Sequence, residues 1–251
     1  MQPPAPFQHR RVQGFTLIEL LVVIGIIAIL AAMLMPAISA AKTRAKIAAA
    51  RIEMTQILLA ISKYDSHYQR PPSSKPAQSS LNALFCPDFT FGTVNTNGSV
   101  LNDRNGNPLP TIQSTGNTPS YQACNSELMA ILLDVEQFAD GNPTVNFNHA
   151  RNPQRLPFLN ARRTSESASP GIGPDGVYRD PWGNPYIVTI DFNDDNQCQD
   201  GFYYPLTKGP NSLFVRAPAM VWSLGPDGKV NTVRGAGYKN KENKDNILSW
   251  E

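Results

Sequence analysis

Gly14-Phe15-Thr16-Leu17-Ile18-Glu19-Leu20-Leu21-Val22-Val23-Ile24 opens the stretch that decides the fold, an apolar run over residues 15–35 interrupted by one carboxylate. Its 21 residues, at about 1.5 Å rise per residue, cover roughly the 30 Å hydrocarbon thickness of a bilayer. Glu19 is the only ionisable side chain in the run. A carboxylate in hydrocarbon costs about 2.5–3.5 kcal/mol at a helix centre and less towards the interface, so Glu19 marks a functional position with a partner to be found.

Upstream, residues 1–14 are proline-rich and carry Arg10 and Arg11 without an acid, which places this end on the cytoplasmic side and directs the helix outward. A secretory signal would have a shorter apolar core followed by a break, whereas here the helical pattern continues. Pro36 removes one backbone hydrogen bond where the span ends and is expected to kink or loosen the helix. Beyond it, residues 36–69 read as an amphipathic continuation. Ile38, Ala41, Ala45, Ala48, Ile52 and Leu59 recur at three- and four-residue spacing as its expected packing face, with Lys42, Arg44, Lys46, Arg51 and Lys63 on other faces.

The Gly14-Phe15-Thr16-Leu17-Ile18-Glu19-Leu20 string with its apolar continuation resembles the type III signal of type IV pilins and of the pseudopilins of type II secretion. That resemblance implies cleavage after Gly14 by a membrane-embedded prepilin peptidase and methylation of the new amino terminus at Phe15. It also implies that Glu19 pairs with the Phe15 amino group of a neighbouring subunit during assembly. Two buried opposite charges then offset each other's desolvation and fix register. Head-to-tail contacts that do not close into a ring generate an open fibre.

With 41% hydrophobic residues and 22 prolines, the chain of 251 residues is long enough for one loop-rich globular domain beyond the helix. The formal charge of +2 falls to neutrality, 20 basic against 20 acidic residues, when Arg10 and Arg11 leave with the leader. No nucleic-acid signature remains. The basic cluster Arg151, Arg155, Arg162 and Arg163 reads as a solvated loop, because aromatic residues are sparse around it.

Residues 70–178 read as a loop-rich insertion containing one helix near 126–138. Leu128, Ile131, Leu132, Val135 and Phe138 form its apolar face, Asn125 or Ser126 its cap, and Gly141 follows its end. From 179 to 251 short strand candidates follow at 186–190, 201–204 and 219–223, which suggests an antiparallel sheet. The Asp180-Pro181-Trp182-Gly183-Asn184-Pro185-Tyr186 string resembles the corresponding sequence of the major pseudopilin of type II secretion. So does Ser223-Leu224-Gly225-Pro226-Asp227-Gly228 with Asp245-Asn246-Ile247 and Trp250. The resemblance implies a calcium loop with Asp227 and Asp245 as carboxylate ligands and Ser223 and Leu224 beside the site. Calcium takes about six to eight oxygen ligands, and such a loop suits it. Lys229, Arg234, Lys239, Lys241 and Lys244 depart from the family's pattern, and a plain Gly-Pro-Asp-Gly turn, repeated at Gly173-Pro174-Asp175-Gly176, is the competing reading.

Asp191, Asn193 and Asp195 have the spacing of a calcium-binding EF-hand loop, but Asn196 replaces the glycine and Phe202 the bidentate glutamate, so a polar hairpin loop is expected. Cys86, Cys124 and Cys198 allow three pairings in an oxidising compartment, and none has zinc-ligand spacing. No nucleophile elbow, phosphate-binding glycine loop or zinc-protease helix is present in the sequence, so an enzyme is not expected.

The expected fold is α+β and pilin-like: a long N-terminal helix, half transmembrane and half amphipathic, on a small antiparallel sheet. Its expected divisions are a leader at 1–14, an assembly helix at 15–35, the continuation at 36–69, the insertion at 70–178 and the sheet at 179–251. The expected function is that of a structural subunit in a periplasmic pseudopilus, anchored by one pass in the inner membrane. Its partners are then copies of itself, other pseudopilins, prepilin peptidase and an inner-membrane assembly platform. A type IV pilin or minor pilin, or a membrane-anchored ligand-binding domain using a pilin-type signal, is the alternative.

Overall fold

The computed structural model describes residues 15–84, 88–103, 105–110, 121–203, 214–231 and 242–251. The chain divides into two compact units, 1–44 and 45–251. Helix α1 (Leu17–Tyr68) runs through Pro36 without interruption. The proline ring removes one bond to the Ala32 carbonyl without ending the helix, since the turns on either side carry it on. In the first unit every described side chain is exposed. Among the described residues α1 is the one helix long and apolar enough to cross a membrane.

The second unit is α+β. Helix α2 (Lys75–Leu84), strand β1 (Asp88–Phe91), helix α3 (Asn125–Leu132) and the strands β2 (Gly171–Ile172), β3 (Tyr178–Arg179), β4 (Ile187–Asp191), β5 (Ala219–Ser223) and β6 (Ile247–Leu248) follow in chain order. A four-stranded antiparallel sheet has the order β1-β4-β5-β6, with Thr90 opposite Thr189, Val188 opposite Val221 and Ser223 opposite Ile247. β2 and β3 form a separate hairpin.

Alternation along the strands assigns the two faces of the sheet. Phe89, Phe91, Val188, Ile190, Ala219, Val221 and Ile247 share one core with Met54, Ile57, Ile61 and Tyr64 of α1. Ile187, Trp222 and Leu248 look the other way and pack with Leu101, Leu109, Phe202 and Tyr203. A polar network lies at the edge of this second core. The hydroxyls of Thr90 and Thr189 are 2.8 Å apart, and Asp200 accepts Thr189 Oγ1 and Trp222 Nε1 at 2.7 and 3.0 Å.

The packing face of α1 is not the stripe expected from sequence. Ile52 and Leu59 are 60% and 53% exposed, and Ala45 and Ala48 are exposed as well. Ile47, Ala50, Met54, Ile57, Ile61 and Tyr64, also at alternating three- and four-residue spacing, meet the sheet. At about 100° per residue the two stripes lie on opposite sides of the helix. Periodicity alone cannot choose between them when both are apolar.

Three further expectations change. Residues 70–178 are not simply an insertion, because they supply α2 and the edge strand β1 of the main sheet. α3 stops at Leu132, short of Val135 and Phe138, because Asp134 takes a left-handed φ of 55° and the Val135 amide donates back to Ala130 O at 2.9 Å. Its N-cap is Cys124, without a side-chain bond, while the Asn125 amide group bridges Tyr178 O and Tyr186 O at 2.9 and 2.8 Å. Residues 201–203 form a turn, not a strand, since the Phe202 and Tyr203 amides donate to Asp200 Oδ1 at 2.9 and 3.0 Å.

One polar contact ties α1 to the sheet. Tyr186 OH donates to Glu53 Oε2 at 2.5 Å. Burial pushes the Glu53 carboxyl up, and the Tyr186 hydrogen bond opposes this. A carboxylate whose folded pKa lies above its unfolded value binds a proton on folding, so its contribution to stability falls as pH rises from the unfolded towards the folded pKa. Glu53→Gln is expected to lose less stability than the parent chain when pH is raised from 4 to 7, as read by thermal unfolding. Equal pH dependence of the two chains would refute this.

Candidate assembly and processing site

Helix α1 begins with a reciprocal cap. Thr16 N and Thr16 Oγ1 both donate to Glu19 Oε2, at 2.9 and 2.6 Å, and Glu19 N donates to Thr16 Oγ1 at 3.3 Å. This is a capping box, which satisfies amides that the first helical turn leaves open. Its sequence signature, a threonine three residues before a glutamate ahead of an apolar run, is present in Thr16-Leu17-Ile18-Glu19 and escaped the sequence reading. The acid also sits at the positive end of the helix dipole. Glu19 Oε1 has no hydrogen-bond partner among the described residues. One oxygen of the carboxylate thus orders the helix start, and both Glu19 and Phe15 are exposed. Gly14 lies outside the described residues.

The C-terminal motif residues come together around one turn. Gly225, with φ of 66°, lies so close to the Asp245 carbonyl that a side chain there would collide with it. Asp227 N donates to Asp245 Oδ2 at 3.2 Å, and Lys229 N donates to Asp227 Oδ1 at 2.8 Å. Ser223 Oγ is committed elsewhere, donating to Asp180 Oδ2 at 2.5 Å and accepting Gly225 N at 3.0 Å. Leu224 is buried in the second core. Residues 232–241 lie outside the described residues, and Asn231 N and Asn243 Oδ1, 2.8 Å apart, join the chain on either side of them.

Two turns of the same design hold this region. In Asp180-Pro181-Trp182-Gly183-Asn184-Pro185, Asp180 Oδ1 accepts the amides of Trp182 and Asn184 at 2.8 and 2.9 Å. In Asp103-Arg104-Asn105-Gly106-Asn107-Pro108, Asp103 Oδ1 accepts those of Asn105 and Asn107 at 2.7 and 2.8 Å. Asn184 then donates to Gly225 O and Asn105 to Asp227 O, both at 2.8 Å. The two Asp-x-x-Gly-Asn-Pro turns therefore grip the Gly225 and Asp227 carbonyls, on either side of Pro226, in the Gly-Pro-Asp-Gly turn. The recurrence of the hexapeptide is visible in the sequence, but the shared target is not.

The other Gly-Pro-Asp-Gly turn makes a useful contrast. Asp175 accepts Val177 N at 3.2 Å, as Asp227 accepts Lys229 N, but it also takes Arg179 Nη1 and Nη2 at 3.0 and 2.6 Å. Asp227 has no ion pair among the described residues. No cluster of three or more His, Cys, Asp or Glu side chains suited to a metal occurs among the described residues.

The loop after β4 is a polar hairpin segment. Asp191 accepts the amides of Asp194 and Asn196 at 2.9 and 2.8 Å, and both donors take left-handed φ of 59°. Cys124 and Cys198 are buried free thiols whose pKa values burial pushes up, that of Cys124 to about 11. Cys86 lies outside the described residues.

No curated protein and no solved structure matches the chain. Residues 9–35 match the family described as the prokaryotic N-terminal methylation motif, and these residues include Gly14, Phe15, Thr16 and Glu19. The chain thus carries, ahead of an α+β unit, the prepilin-type signal of type IV pilin-like proteins and pseudopilins, a motif that implies prepilin-peptidase processing and pilus-like assembly.

Proposed function

We propose that the chain is the structural subunit of a periplasmic pseudopilus of a type II secretion system, inserted in the inner membrane and assembled into a helical filament that drives protein export. The second apolar stripe of α1 supports this reading above all. A helix whose inner face already packs on its own sheet exposes Ala45, Ala48, Ile52 and Leu59 on the other. A stripe of small and branched apolar residues suits a helix of a second copy. Ile52→Glu with Leu59→Glu is expected to abolish filament formation, read by electron microscopy of sheared fibres. The thermal midpoint of the subunit should stay within about 4 °C, since each of the two surface changes alters stability by roughly ±0.5 kcal/mol. Normal filaments from this variant would sink the reading.

Calcium belongs to the same proposal. Asp227 and Asp245 are brought to one turn, and among the described residues Asp227 has no arginine like the one that neutralises its counterpart Asp175. These carboxylates, with carbonyls of the Ser223–Leu224 segment, would hold the ion, which would supply positive charge and cross-link the turn to the chain end. Millimolar calcium is expected to raise the midpoint of thermal unfolding over that in chelator, because a ligand of the folded state stabilises it in proportion to its saturation. Asp227→Asn should remove the shift. A midpoint indifferent to calcium argues for the plain turn.

A further inference from the structure

The basic cluster read as a solvated loop splits in the folded chain. Arg155 is exposed, whereas Arg151 is only 8% exposed. The Arg151 backbone is pinned from three sides: its amide donates to Asn146 Oδ1 at 3.1 Å, and its carbonyl accepts Tyr64 OH at 2.5 Å and Arg70 Nη2 at 3.2 Å. Its guanidinium makes no ion pair and no hydrogen bond among the described residues. Arg151 lines a cavity of about 420 Å³ with Arg70, Lys75 and Ser74.

No acid lines this cavity. The Glu127 carboxylate acts on Arg151 through its charge and accepts Tyr121 OH at 2.8 and 3.1 Å. Burial first, and the Arg70 charge second, push the Arg151 guanidinium below its usual range. α2 also starts at the cavity: Ser74 Oγ caps the Ala77 amide at 3.2 Å, which leaves the positive end of the helix and the Lys75 amide there. Three basic residues gathered at one cavity without an acid repel one another until an anion joins them, and planar five-donor guanidinium groups match oxyanions in geometry.

We propose that the Arg70–Lys75–Arg151 cavity is a binding site for a phosphate- or sulfate-type oxyanion. The ligand is a small phosphorylated or sulfated molecule whose anionic group lies between Arg151 and the start of α2. The site is independent of assembly through α1, and three basic residues line it with no acid among them.

The test uses the full chain in neutral detergent with inorganic phosphate as probe, against chloride at equal ionic strength. Phosphate is expected to raise the unfolding midpoint and to bind measurably by calorimetry, with affinity at least about tenfold weaker in Arg151→Gln and in Lys75→Gln. In chloride, Arg151→Gln should unfold no earlier than the parent chain, since the like-charge contact with Arg70 is gone. Should that variant fail to fold, Lys75→Gln, on an exposed residue, carries the test. Arg155→Gln should bind phosphate as the parent does. Glucose 6-phosphate and dihexanoyl phosphatidylglycerol separate a soluble phosphoester from a lipid headgroup as the source, and binding of either supports the site. Identical behaviour in phosphate and chloride, or parent-like phosphate binding by both Gln variants, would overturn it.

Discussion

Glu19→Ala is expected to lower incorporation of the subunit into filaments by about a hundredfold while leaving the thermal unfolding of residues 45–251 unchanged. Breaking a buried charge pair by removing one partner costs about 3–5 kcal/mol, and about 1.4 kcal/mol is a factor of ten. Among the described residues of the single chain the Glu19 side chain is bound to Thr16 alone, through one oxygen. Replacement therefore costs the isolated helix a cap of about 1 kcal/mol and the assembly a counter-ion. Glu19→Gln separates the two roles, because an amide oxygen still accepts from Thr16 but carries no charge. If the Gln variant assembles like the parent, capping is the role of this position and the intersubunit ion pair is wrong. Thr16→Val, which keeps the charge and loses the hydroxyl, should reduce assembly far less than Glu19→Ala.

Asp180→Ala is expected to destabilise the globular unit by about 3–5 kcal/mol, since each buried donor left unpaired costs roughly 1–3 kcal/mol. Asp180 is fully buried and accepts Trp182 N, Asn184 N and Ser223 Oγ. Loss of the carboxylate also frees Asn184, whose amide group holds Gly225 O, so the effect reaches the Asp227 turn. For a unit of this size the midpoint should fall by about 10 °C. Burial pushes the Asp180 carboxyl up against the opposing pull of these hydrogen bonds, so Asp180→Asn, which sheds the charge and keeps an acceptor, should lose much less. Asp103→Ala, at the matching but less enclosed turn, should fall between them. A drop below about 1 kcal/mol for Asp180→Ala, measured by denaturant or thermal unfolding, would show that the turn holds without its carboxylate.

Much of the N-terminal site was legible because it is local. The apolar run, its single acid and the glycine before Phe15 need no tertiary context, and the same residues match the methylation motif. The capping box is equally local, since Thr16 and Glu19 are three residues apart. The inward face of α1 was not legible. Ile52 and Met54 are both apolar, both at helical spacing, and one is 60% exposed while the other is buried.

The middle of the chain was harder for a different reason. β1 is four residues long and carries Asp88 and Thr90 among its phenylalanines. A strand that short is specified by the partner it pairs with, β4, about a hundred residues later. α3 shows the converse: Val135 and Phe138 continue its apolar period, but the left-handed turn at Asp134 ends the helix, and asparagine and aspartate reach that conformation without a glycine to announce it.

By itself the sequence determined a prepilin-type signal, a helix long and apolar enough to cross a membrane with a carboxylate near its start, and an α+β unit behind it, since hydrophobic length, charge sign and turn chemistry act over a few residues. Tertiary structure alone decided which stripe of α1 faces the sheet, that two distant Asp-x-x-Gly-Asn-Pro turns clamp one loop, and that Arg151 leaves its basic neighbours for a cavity shared with Arg70 and Lys75. Those outcomes depend on surfaces brought together across the chain, where burial and pairing select among local patterns that are nearly equivalent in sequence.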